Sequence, residues 1–272
     1  MLKVMVEQPS LLNSPGTLIV GGLGRLGSAF THLFPRAKAI DRDEVDIGDI
    51  DSVSRAIERA RPSLVINCAA ITDLALCERD AAGTRRVNVE GVANLAKASK
   101  AADATFVHFS SDYAIDPVNE YARGKLDSEK YADLTVRAKI YDGSHWAWDA
   151  LLSGRRIQMT TTEFSNPIST TSVANLLPVL LRMKLRGVVP LGTKDRLSFF
   201  EVGRIWASAL GAPLDLVEPT GRVKSQYARP TDTFMPVHDL LDVGIEVPLL
   251  AADALSHRRY FVDYARNGGI PL

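Results

Sequence analysis

The sequence predicts an α/β protein in which a doubly wound parallel sheet is followed by a smaller C-terminal α/β region. Three observations carry this. Short unbroken apolar runs alternate with helical patterns through the first half of the chain. The first run ends on a cluster of glycines, and beyond Val136 the rhythm gives way to helix candidates separated by proline-bearing loops.

The elements follow in order. TLIV, from Thr17, reads as a strand, and after the glycines RLGSAFTHLF reads as a helix. AKAID is a second strand ending on Asp41. In IDSVSRAIERA, the residues Val53, Ala56, Ile57 and Ala60 recur at helical spacing and define one buried face. SLVIN is the third strand, Val89, Val92, Ala93 and Ala96 repeat the helical spacing, and ATFVHFS is the fourth strand. Strands that are apolar throughout must be covered on both faces, which is the condition of a parallel sheet flanked by helices. Farther on, SFFEVGRIWASAL reads as a helix between loops such as FSNPIST and ARPTDTFMP. The boundary falls near Ile140, giving one domain over residues 1–140 and a smaller substrate-binding region over 141–272, some of whose segments return to the first sheet. Residues 1–16 read as an extra strand or a disordered lead, and the tail from Ala251 carries no pattern.

Bulk properties exclude several classes. A chain of 272 residues, 46% hydrophobic and 24% charged, builds a core without disulfides. Its 32 basic and 32 acidic side chains cancel, so neither nucleic acid nor a membrane surface is an expected partner. Cys68 and Cys77 are too far apart for a zinc or redox pair, no histidine shows metal spacing, and no metal is expected. The N-terminus lacks a basic stretch followed by a long apolar core, and LLPVLL is too short to span a bilayer. These features predict a cytoplasmic protein and allow a homodimer.

The turn GGLGRLG sets Gly21, Gly24 and Gly27 in the pattern GxxGxxG between a strand and a helix. Such a turn needs backbone angles that a Cβ hinders, and it lets a pyrophosphate approach the amides at the helix N-terminus. Asp41 closes the second strand where a ribose would lie, so the sheet reads as Rossmann-type and residues 1–140 as an NAD(P)-binding domain. Asp41 suits the free 2'-hydroxyl of NAD, whereas Arg25 and Arg42 are placed to receive the 2'-phosphate of NADP. Both cofactors stay open, with NADPH slightly favoured.

The fourth strand ends in SSDY, and YARGK follows a short loop later. On a helix Tyr121 and Lys125 share one face. An ammonium beside a phenol stabilises the phenolate, which lets tyrosine cycle as acid and base. In a reduction Tyr121 would give its proton to a carbonyl oxygen as hydride reaches the carbon, and Ser111 would hydrogen-bond that oxygen. His108, inside an apolar strand, reads as a satisfied core side chain, and Trp146 and Trp148 read as packing residues.

The series GGLGRLG, AIDRDEVDI, RPSLVINCAAIT, VNVEGVANLA, FSSDY and YARGKLDSEK resembles the dTDP-4-dehydrorhamnose reductase branch of the extended short-chain dehydrogenase/reductases. The resemblance covers most of residues 17 to 140 and continues as the scattered segments RAKIYDG, EFSNPIS, SFFEVGRIW and YARP. It implies that Gly24, Arg25 and Leu26 meet the pyrophosphate, that Asp41, Asp46 and Ile47 surround the adenosine, and that Ala69, Ala70 and Thr72 line the dinucleotide cleft. It further implies a catalytic trio of Ser111, Tyr121 and Lys125; Ser111, Asp112, Ile140 and Arg229 are the candidates on the substrate side, Arg229 for the diphosphate. Departures fall on that side: the loop between Tyr113 and Tyr121 is shorter than the family's. Ile140 stands where a tryptophan touches the deoxysugar, Ala29 replaces a glutamate linked with interfacial magnesium, and Ser111 replaces a threonine. The expected activity is reduction of a ketone, the 4-keto group of a nucleotide-linked deoxysugar. The alternatives are a nucleotide-binding regulatory subunit without turnover, or an epimerase or dehydratase on the same fold.

Overall fold

The computed structural model describes residues 12–222 and 225–266, the stretch from 260 onward by backbone alone. Residues 1–11, most of the expected strand or lead, lie outside the described residues, and 12–16 form turns beside the buried Leu12. Six strands make one parallel sheet: β1 (Thr17–Val20), β2 (Lys38–Ile40), β3 (Leu64–Asn67), β4 (Thr105–Ser111), β5 (Leu134–Ala138) and β6 (Gly187–Pro190). Their order is β6-β5-β4-β3-β1-β2. Strand β6 comes from the second half of the chain and pairs with β5.

The longer helices are α1 (Arg25–Leu33), α2 (Ile50–Ala60), α3 (Gly91–Ala101), α4 (Glu120–Ser128), α5 (Trp146–Leu152), α6 (Thr170–Arg182), α7 (Phe199–Leu210) and α8 (Leu250–Arg266). Strand alternation divides the apolar residues between two faces. Ile19, Ile66, Val107, Phe109, Leu134 and Val136 pack with Leu26 and Phe30 of α1 and Leu177 and Leu180 of α6. Leu18, Val20, Val65 and Phe106 pack with Val53 and Ile57 of α2 and Val92 and Leu95 of α3. The sheet is thus sandwiched, as unbroken apolar strands require.

Helix α2 has the expected bounds, with Val53 and Ile57 buried and Ala56 and Ala60 at its margin. Helix α3 departs from expectation: Leu95 and Ala98 are buried, while Ala93 and Ala96 are only half-buried. Its lead-in, Arg86–Glu90, winds as a π-helix, and the wider turn rotates the following face.

A second core, formed by Tyr141, Trp148, Met159, Val202, Trp206 and Leu250 among others, joins α5, α7 and α8. Helix α7 begins on a capping box, Ser198 with Glu201. Asp253 of α8 is buried and accepts from Tyr141 Oη (2.7 Å), Ser169 N–H (2.7 Å), Ser169 Oγ (2.8 Å) and Ser172 Oγ, so the tail that showed no pattern is tied to the body by a carboxylate. Trp148 is fully buried, but Trp146, expected to pack as well, is 57% exposed. It is the first residue of α5 and points outward, while Ala147, Trp148, Ala150 and Leu151 take the inner face. Among the described residues no helix is long and apolar enough to cross a membrane.

Candidate active site

In the sheet, β1 is flanked by β2 on one side and β3 on the other, so the strand order reverses beside β1. Doubly wound sheets bind ligands in the crevice that opens at such a switch point, outside the strand carboxyl ends. The glycine turn follows β1, and residues 68–72 follow β3, so these two segments form the walls.

Gly21 has φ +82°, and a Cβ there would lie 2.7 Å from Ala69 N, so both conformation and space demand glycine. At Gly27 a Cβ would come within 2.0 Å of Gly21 O, which is why α1 packs so closely on the turn. Gly24 differs: its Cβ would meet only Gly21 O, at 3.4 Å. The fold has no steric need of glycine there. Close approach of a ligand does explain it, because Gly24 is the uncapped N-cap of α1 with no acidic residue in the first turn, an arrangement that suits a pyrophosphate. Leu26 is buried in the core, which leaves only its backbone for such a contact, and Arg25 is exposed.

Asp41 lies at the end of β2 and accepts from Leu23 N–H (2.9 Å) and Arg42 N–H (2.8 Å), which pins its carboxylate against the glycine turn. Asp46 is engaged by Arg86 (2.5 Å) and Gly48 N–H (2.9 Å), and the Arg86 hydrogen bond first of all holds its carboxyl below the usual range. Ile47 is buried against Gly91 and gives its carbonyl to Asn94 (2.9 Å). The side chains of these two residues therefore brace the loop. Ala69 and Ala70 are half-buried and Thr72 is exposed.

Two asparagines that the sequence reading missed hold the second wall. Asn67 Oδ1 accepts from Ala69 N–H (3.0 Å), and buried Asn88 makes two 2.8 Å bonds to the N–H and carbonyl of Ile71. Asn88 is one of the two buried residues of the π turn. Asn67 also donates to His108 Nδ1 (3.2 Å), leaving His108 Nε2 to bond Ser128 Oγ (3.1 Å). Burial, then Lys125, drive the His108 pKa far down, so it stays neutral inside the strand.

The other polar cluster stands at the ends of β4 and β5. Asn119 caps α4 by accepting from Ala122 N–H (2.8 Å), and its amide donates to Ala228 O (2.9 Å), fixing the helix that carries Tyr121 and Lys125. Tyr121 lies beside Ser111 and meets the Tyr113 ring edge-on at 6.1 Å. Burial raises the phenol to about 12; the neighbouring Ser111 hydroxyl opposes this and the Asp112 charge adds to it. Lys125 is buried, and its ammonium donates to Phe109 O (2.8 Å). Burial lowers it to about 8, against the pull of Cys68, Glu129 and Cys77. Its nearness to Cys68 places it toward the wall that follows β3.

Ser111 Oγ donates to Asp112 Oδ1 (3.0 Å), and Asp112 is paired with Lys139 (3.2 Å), a residue quoted in the sequence but given no role there. Arg229 is exposed yet close enough to oppose the charge of Lys139. Ile140 belongs to a short strand, Ile140–Tyr141, paired with Ile168–Ser169, and packs against the first core cluster. The fold thus gathers Ser111, Asp112, Tyr121 and Lys125 in one place and sets Ile140 partly into the core.

Known proteins resemble this chain in sequence and in fold. Residues 16–137 match the family model described as RmlD substrate binding domain. The chain is 33% identical over 129 residues to a dTDP-4-dehydrorhamnose reductase of Burkholderia thailandensis, covering 41% of this chain and 43% of that protein. It is 30% identical over 225 residues to the reductase of the same name from Mycolicibacterium smegmatis, covering 71% of this chain and 66% of the relative. A dTDP-4-dehydrorhamnose reductase from Bacillus anthracis, solved in complex with NADP, superposes with a TM-score of 0.81 at 22% identity, over 91% of this chain and 98% of that one, and shares the fold. The glycine turn, the phenol and lysine on α4 and these matches together show that the chain belongs to the dTDP-4-dehydrorhamnose reductase-like family of extended short-chain dehydrogenase/reductases, which are NAD(P)-dependent oxidoreductases.

Proposed function

We propose that the protein reduces a ketone with a nicotinamide dinucleotide, the substrate being the 4-keto group of a nucleotide-linked deoxysugar. The observation that carries this reading is the placing of half-buried Tyr121 with buried Ser111 and Lys125 beside a crevice whose glycine turn fits a pyrophosphate. NADH or NADPH supplies the hydride when bound. Gly24 and the first amides of α1 hold the diphosphate, Asp41 takes the adenosine ribose, and Lys125 faces the reacting end.

Tyr121 is the general acid. With its phenol held up at about 12 it is fully protonated at neutral pH, and it passes that proton to the ketone oxygen as the carbon is reduced. Ser111 steadies the same oxygen, and Arg229, exposed near Lys139, receives the substrate diphosphate. The ketone gains a hydride and a proton to become an alcohol.

The test is cofactor oxidation with a panel of nucleotide 4-keto sugars, comparing wild type with Tyr121→Phe. Turnover that depends on Tyr121 supports the reading. Tight dinucleotide binding with no turnover, together with a stoichiometric protein partner, would assign the chain a regulatory role instead.

A further inference from the structure

Ser111 has one hydroxyl proton and two neighbours that claim it. It accepts from Tyr113 N–H (3.3 Å) and points its proton at Asp112 Oδ1 (3.0 Å), while the Tyr121 phenol lies beside the same oxygen. Asp112 is 2% exposed. A bare carboxylate at that depth would hold the Ser111 proton firmly and would repel negative charge forming on Tyr121. Strands β4 and β5 pair Ser111 with Ala138, so the next residue, Lys139, emerges beside Asp112. Its ammonium donates to Asp112 Oδ2 at 3.2 Å and lies 5.2 Å and 5.1 Å from the ring centres of Tyr113 and Phe199.

Resting on the reductase reading, we propose that Lys139 is a positioning residue for the reaction: by neutralising Asp112 it releases the Ser111 proton to whichever oxygen carries charge, on Tyr121 or on the substrate. The groups facing Tyr121 are few. Ser111, Asp112 and Tyr113 come from the end of β4 and the turn after it, and Cys77 from the short helix Leu74–Arg79; Lys125, a turn further along α4, turns its ammonium to Phe109 O. Beyond Asp112 stand Lys139 and then Arg229. Burial favours a neutral Lys139, but Asp112, Tyr113 and the direct hydrogen bond outweigh it and keep the ammonium charged.

The test runs the reaction from alcohol to ketone, where Tyr121 acts as base and the rate below its pKa falls tenfold for each unit that pKa rises. Wild type, Lys139→Met, Lys139→Arg, Asp112→Asn and the double substitution D112N/K139M are compared for kcat, KM, pH profile and dinucleotide affinity. K139M should lose about tenfold in kcat, the low end of what an uncompensated like charge does, with its pH profile displaced to the alkaline side and dinucleotide affinity within about twofold. K139R should keep most of the rate, and D112N/K139M should recover roughly the lost tenfold relative to K139M. A purely structural ion pair predicts otherwise, with the double no better than K139M and all losses following thermal stability. Wild-type kcat in K139M, or no recovery in the double, overturns the inference. If K139M does not fold, D112N/K139M against D112N decides: removing the lysine must cost less than about twofold once position 112 is neutral, and a larger loss refutes it. A wild type that turns over no substrate in either direction sinks the reductase reading and this inference with it, a result distinct from an unresponsive K139M.

Discussion

Alanine at Gly24 and at Gly27 should separate what the fold needs from what a ligand needs. Gly24 has φ −72° and ψ 166°, open to any residue, and a Cβ there meets only Gly21 O at the ordinary distance of 3.4 Å. Gly24→Ala should therefore cost no more than about 1 kcal/mol, the difference between glycine and alanine at an N-cap. At Gly27 the added carbon would sit 2.0 Å from Gly21 O and 2.8 Å from Gly22 Cα, both backbone atoms that cannot rotate away. Overpacking of that kind costs about 1–3 kcal/mol or more, and in a chain of this size each kcal/mol lowers Tm by roughly 2–4 °C. Binding should show another pattern. A methyl at the N-terminus of α1 displaces the diphosphate from amides whose bonds to charge are worth about 1.5–3 kcal/mol, so Gly24→Ala should raise the Kd of NADH and NADPH roughly ten- to a hundredfold while the protein stays folded. Thermal unfolding and dinucleotide fluorescence titration read the two effects. Wild-type affinity in Gly24→Ala would refute the placement of the diphosphate, and wild-type stability in Gly27→Ala would refute the packing argument.

Other consequences follow from the same geometry. Tyr121→Phe should cut kcat by at least about a hundredfold, as loss of a general acid does, with dinucleotide Kd unchanged by titration. Asp253→Ala strands the donors of Tyr141, Ser169 and Ser172 in the interior and should cost at least about 3 kcal/mol in urea denaturation. Burial first of all lowers His145 and His257 from 6.5 to about 4, so both fold neutral and protonate in the unfolded chain. Their contribution is complete above pH 6.5 and is lost as pH falls toward 4, so the urea midpoint should drop across that window and flatten there when His257 is replaced by glutamine.

The first half of the fold was legible because its signals are local. Helix α2 came out residue for residue from the spacing of Val53 and Ile57, and β1 from an apolar run that stops at Gly21. Helix α3 falls where the apolar spacing puts it, but its buried face differs, because nothing in VNVEG announces a π turn. In the site, the order along the chain puts Ser111 at the end of β4 and Tyr121 and Lys125 a turn apart on α4. What escaped was non-local: Lys139 reaches Asp112 only through the register of β4 with β5, Asn88 reaches Ile71 only through the π turn, and Asp253 reaches Tyr141 across most of the C-terminal half. The ammonium of Lys125 was expected to serve the phenol beside it, and the structure turns it to Phe109 O. Periodicity cannot see such contacts, since each is set by how separate elements pack.

Transfer of the hydride itself is the most direct test of the account. Incubating the protein with deuterium-labelled NADH or NADPH and a nucleotide 4-keto deoxysugar, then reading the product by mass spectrometry and NMR, should place deuterium on the new carbinol carbon, with almost none when Tyr121→Phe replaces wild type. A dinucleotide that binds while its deuterium never reaches any sugar carbon would contradict the reductase assignment.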